Sequence, residues 1–185
     1  MSLKAALSLT SKVLHDTSLI LKLIPSTQYT VPCPIIHATL GQHTRHLLHH
    51  ITLPLTAAAS APATSILDYD IRARGDEIET CPAAAQTQIT ELLATIASIP
   101  PSPSPSITHA CTVTFSLTAT PNSPPTPFPT TVEREVAFGA HHALHHLSMM
   151  KVLAEGPVGG GVKGELPGTF GKAPSTNAFE GGGGC

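Results

Sequence analysis

Eleven histidines stand against ten lysines and arginines in this 185-residue chain, and eight of them lie in two short windows, 43–50 and 141–146. Imidazole is the commonest protein ligand for transition metals, and it coordinates in its neutral form. On an α-helix successive residues turn by about 100°, so His142 and His146 lie on one face, as do His141 and His145. An i,i+4 pair of this kind lets two imidazoles grip one ion. In the earlier window His43, His46 and His50 share a face within about 60°, while His49 points further round. If the two faces meet in a core, three imidazoles converge. Three nitrogen ligands with an open fourth position describe a catalytic zinc-type site better than a closed structural one. Isolated histidines need no such explanation, and His15, His37 and His109 are read as ordinary residues.

Two helices must position these windows, and their boundaries are written in the chain. Thr39-Leu-Gly-Gln42 is a capping-box pattern opening a helix over 40–53, which Pro54 is expected to stop. Thr130-Thr-Val-Glu133 is a second capping box, opening a helix over 131–155 that ends at Gly156-Pro157. An amphipathic helix is predicted over 3–24, with Pro25 as its stop. Another is predicted over 82–98, with Thr80 as N-cap and Pro82 in its first turn. The remainder reads as irregular connection. The insert 100–129 holds nine prolines around a β-like run, 111–117, and is expected to be a mobile loop with at most a short hairpin. The resulting fold class is all-α: a four-helix bundle with Pro-rich connections. It forms one domain over 1–176, followed by a flexible glycine-rich tail, 177–185.

Composition narrows the function classes. Charged residues make up 12% of the chain, about half the usual share of roughly 25%, and no basic cluster suits a phosphate backbone. Nucleic-acid binding is therefore not expected. No apolar run approaches membrane-spanning length, and the N-terminus lacks a signal-peptide pattern, so neither a membrane nor secretion is expected. Four scattered cysteines (Cys33, Cys81, Cys111, Cys185) suit neither a disulfide scaffold nor a zinc finger; a cytoplasmic location is the simplest reading. The glycines of 156–164 lack P-loop spacing. The densest charge lies in Asp68-Tyr-Asp-Ile-Arg-Ala-Arg74. There Asp68, Asp70, Arg72 and Arg74 are candidate catalytic residues: an arginine for a substrate carboxylate, an aspartate to orient a ligand imidazole. The acids of Glu133-Arg-Glu135 suit a helix N-terminus without further role.

Five motifs in order, Thr39 to His46, Asp68 to Arg74, Glu133 to Phe138, His142-Ala-Leu-His-His146 and Phe170-Gly-Lys-Ala-Pro-Ser-Thr176, together resemble the DinB-like superfamily of metal-binding four-helix bundles. The likeness runs from Gln28 to Thr176. It implies a divalent metal (Zn, Ni or Fe) held by His46, His142 and His146, with His43 as the alternative on the earlier helix. The long insert and the extra histidines 49, 50, 141 and 145 depart from the pattern. Characterised members include metal-dependent thiol transferases, a maleylpyruvate isomerase and the thiol-binding half of sulfoxide synthases. The resemblance thus implies an enzyme that activates a thiol or water for transfer, isomerisation or hydrolysis on a small molecule. A non-catalytic metal-binding bundle for storage, sensing or scaffolding is the alternative, and a homodimer is compatible with either.

Overall fold

Leucine and isoleucine at helical spacing, broken by proline, give a mostly helical chain. The computed structural model describes residues 3–60, 65–71, 75–100, 109–118, 120, 124–156 and 162–181. Four long helices dominate: α1 (Leu3–Leu23), α3 (Leu40–Ala59), α5 (Pro82–Ser98) and α6 (Val132–Glu155). Short helices α2 (Ser26–Tyr29) and α4 (Glu77–Thr80) lead into α3 and α5, and α7 (Pro174–Gly181) follows α6. α6 packs on α1 and α3, and α5 packs on the same two helices. Apolar side chains from all four meet in one core that includes Leu14, Ile20, Leu47, Ile51, Ile89, Leu147 and Met150. No helix among the described residues is long and apolar enough to cross a membrane.

A small sheet is added to the helices. β1 (Ser65–Asp68) pairs in parallel with β2 (Ala110–Phe115), which pairs antiparallel with β3 (Thr126–Thr131). The insert therefore contributes a hairpin wider than the 111–117 run, closed by stacked Phe115 and Phe128 rings 5.1 Å apart. β3 is proline-rich, yet Pro127 and Pro129 sit on a sheet edge, where a missing N–H costs no ladder bond. Positions 101–108, 119 and 121–123 of the insert lie outside the described residues.

Several boundaries differ from those expected. Pro54 lies inside α3, which continues to Ala59. The N-cap of α6 is Thr131, whose hydroxyl accepts from the Arg134 amide at 3.2 Å, one residue later than the pattern suggests. Cys81, not Thr80, is the N-cap of α5, because residues 77–80 form their own turn capped by Asp76. The expected tail boundary at 176 falls within α7, tied back by Lys172 to Glu180 at 2.6 Å; 182–185, with Cys185, lie outside the described residues. The Thr39–Gln42 capping box forms as expected, with both reciprocal hydrogen bonds present.

Candidate metal centre

The two histidine windows meet where α3 and α6 run side by side. His43 lies against His146, Nδ1 to Nδ1 at 2.9 Å. One turn on, the Nε2 atoms of His46 and His142 are 3.1 Å apart, and those of His142 and His146 are 3.2 Å apart. At the far end of the ladder the His50 ring lies 4.4 Å from that of His142. Rising numbers on α3 meet falling numbers on α6, so the helices are antiparallel and the i,i+3/i+4 spacings interlock. Two nitrogens bound to one tetrahedral zinc lie about 3.3 Å apart, given bonds of about 2.0–2.1 Å. The observed separations are close to that edge.

One group of three imidazoles is placed so that it could hold an ion. His46, His50 and His142 present ligand atoms that all lie within 4.8 Å of one another. Of the three histidines that the family resemblance implies, His46 and His142 fall in this group; His146 lies outside it but in direct contact with His142, and His50 joins them. Helical spacing already put His50 on the shared face; the family resemblance left it among the extra histidines. His43 reaches the cluster through His146. His141 and His145, the other i,i+4 pair, are exposed.

Burial keeps these rings neutral. Loss of water, with the neighbouring imidazoles of His46 and His142 adding to it, pushes His50 down to about 2. His146 falls to about 3 for the same reasons, and His43 and His142 are lowered, burial first and the charge of His145 second. Neutral imidazole offers a lone pair, which is the form a metal needs. Nδ1 of His50 and Nε2 of His43 are buried without a hydrogen-bond partner among the described residues. The orphaned nitrogen of His50, whose ring lies against those of His46 and His142, fits a cation.

One end of the cluster is walled by aromatic rings. Tyr69 stacks on His50 at 4.8 Å and 12°, and Phe138 stacks on His142 at 5.7 Å and 19°. The Tyr69 hydroxyl donates to Glu135 at 3.1 Å; Thr130 and Arg134 donate to the other carboxylate oxygen at 2.7 and 2.5 Å. Glu135 is fully buried, so it is a hub behind the site rather than only a helix-dipole acid. Its spacing near a helix start hides that role in the sequence.

The charged stretch before α4 behaves differently from expectation. The Asp68 carboxylate accepts from the Asp70 amide at 2.9 Å, and Asp70 accepts from the Ser116 amide at 2.5 Å. Asp68 fixes its own segment's backbone and Asp70 ties that segment to the end of β2, and the residue between them, Tyr69, is the one that touches the histidines. Arg72 and Arg74 lie outside the described residues.

A cavity of about 270 Å³ opens beside the cluster, lined by His142, Phe138, His145 and Ser148 of α6 and by Gly171 and Ala173. The 170–173 segment is held there by Gly171, which has φ +70° and presses so close to α6 that a Cβ would lie 2.8 Å from the Ser148 amide. Ser148 donates to the Gly171 carbonyl at 2.5 Å. The chain's motif at 170–176 thus forms a wall of the site. No family model matches this chain, and neither the curated proteins nor the solved structures include a match to it.

Proposed function

We propose that this chain is a metal-dependent enzyme acting on a small molecule, built as a DinB-like four-helix bundle. Its ion, zinc, nickel or iron, is held by His46 and His142 together with His146 or His50. One observation carries the reading: imidazole nitrogens from two helices lie 3.1 and 3.2 Å apart, and His142 forms part of the wall of a cavity of about 270 Å³. A ligand set of imidazoles alone suits these metals and not magnesium or calcium. A divalent ion held there supplies Lewis acidity toward water, an alcohol or a thiol; the family resemblance favours a thiol. The protein's own part is to position. Tyr69 and Glu135 fix the His50 ring, Phe138 shields His142 from water, and the 170–173 segment shapes the cavity.

Elemental analysis of protein purified without an affinity tag tests this directly. Stoichiometric zinc, nickel or iron is expected, together with thiol-transfer or hydrolytic turnover on activated small molecules that stops on metal removal and returns on reloading. A preparation that takes up no metal, or whose turnover is indifferent to it, refutes the reading.

His50 favours a second reading. If His46, His50, His142 and His146 all ligate, the shell is closed by four protein ligands and the ion is structural or stored. Cobalt substitution separates the two: an added small thiol changes the visible spectrum of an open site and leaves a closed one unchanged.

A further inference from the structure

Next to the cavity at His142 lies a second one of about 250 Å³, and its character is different. Its walls are Cys33, Ile35, Ile36, Met149, Val152 and Leu153, almost purely apolar. His145 and Ser148 line both cavities, so the two adjoin along α6. The His145 ring is 6.2 Å from that of His142 and 5.2 Å from that of His146.

The outer wall of this second cavity is a built feature. Ile35 is 80% exposed and Val152 72%, an arrangement that burial alone would not produce. The turn that carries Ile35 and Ile36 is closed by two backbone hydrogen bonds, His37 to Cys33 at 2.9 Å and Cys33 to Ala38 at 3.0 Å. His37 adopts φ +54°, a left-handed conformation that costs energy for a residue with a Cβ. A strained, hydrogen-bonded turn thus holds two isoleucines out over α6. An apolar cavity of about 150 Å³ already accommodates benzene, so this one has room for a larger hydrocarbon group.

We propose that the substrate carries an apolar chain or ring that occupies the cavity between the 33–36 turn and α6, while its polar, reacting end lies in the adjoining cavity against His142. This substrate class rests on the metal-enzyme reading above. Continuity with the His142 cavity is what selects a small molecule as the occupant rather than a partner protein.

The probes are straight-chain alkanoates of two to eight carbons, titrated calorimetrically into the full chain, metal-loaded and metal-stripped. Affinity is expected to rise about fourfold per added methylene until the cavity is filled, the equivalent of about 0.8 kcal/mol each. Val152→Asp and Ile35→Asp, both at exposed positions that folding tolerates, should remove that gain and leave metal content unchanged. Carboxylate binding that strengthens on metal loading should be lost in His142→Ala while the chain-length gain persists. A series that is flat with chain length in wild-type protein, or a gain that survives both aspartate variants, overturns the proposal. Metal content is scored separately. A chain-length gain in protein that takes up no metal keeps the apolar subsite and removes the enzyme reading.

Discussion

His142 takes part in each of the ligand groupings at the helix seam. It touches His46 and His146 through Nε2 and shares the 4.8 Å group with His46 and His50. Replacing it by Ala should therefore abolish stoichiometric metal binding, with His46→Ala next. His43→Ala should weaken binding, since its contact runs through His146, and exposed His141→Ala should leave it intact. Metal content by elemental analysis reads all four; unchanged content in His142→Ala would mean the cluster is not a site. The same residues set a pH dependence of stability. Burial holds His43, His50, His142 and His146 below the ordinary imidazole value of about 6.5 in the folded chain, so the unfolded chain binds more protons in acid. Their neutral burial contributes stability fully above about pH 6.5, and that stability is lost progressively as pH falls toward 3. Denaturant midpoints of metal-stripped protein should fall over this window, and His50→Leu should flatten the fall. At this scale the sequence was most legible: spacing alone put His43, His46 and His50 on one face and paired His142 with His146. It could not place Tyr69 or Glu135, because their roles arise from which elements end up adjacent and not from spacing along the chain.

Helices were legible through caps and less so through prolines. The Thr39–Gln42 box starts α3 as its pattern requires, yet Pro54 does not end it. A mid-helix proline cannot donate to the carbonyl four residues back and crowds it; here that carbonyl belongs to His50. It approaches Gly139 of α6 so closely that a Cβ at Gly139 would lie 2.5 Å from the His50 oxygen, with the Pro54 ring 3.6 Å away. The missing side chain is the notch that lets the His50 and His142 turns come together. Gly139→Ala should therefore push α3 and α6 apart although alanine favours helix. A loss of about 1–3 kcal/mol is expected by chemical denaturation, along with weaker metal affinity; a variant more stable than wild type would show the contact to be slack. The two outer strands escaped the reading, although the 111–117 run had marked β2, for a related reason. β1 is four residues long and β3 is crossed by prolines, so neither has a pattern that stands out from a loop until β2 lies between them.

At the level of the whole molecule, one hydrophobic core takes side chains from α1, α3, α5 and α6, from β1 and β2, and from Val162, Leu166 and Phe170 beyond α6. The helices that supply most of this core could be read one by one from local pattern, whereas the sheet depended on pairing across more than forty residues, Ser65 with Cys111, which local periodicity cannot report. A shared core implies one cooperative unfolding transition. It also couples the histidine seam to the entire fold, because His43 and His50 are themselves buried between α3 and α6. An ion that binds the assembled imidazoles and not the scattered ones of the unfolded chain must shift that single transition by mass action. At a hundredfold excess over the dissociation constant the gain is about 2.7 kcal/mol, or roughly 5–10 °C for a chain of this size. Thermal scans of metal-stripped protein with zinc or nickel added should show this rise, its reversal by chelator, and its absence in His142→Ala. A rise that persists in His142→Ala would place the ion elsewhere, and a second transition appearing with metal would divide the core that the packing joins.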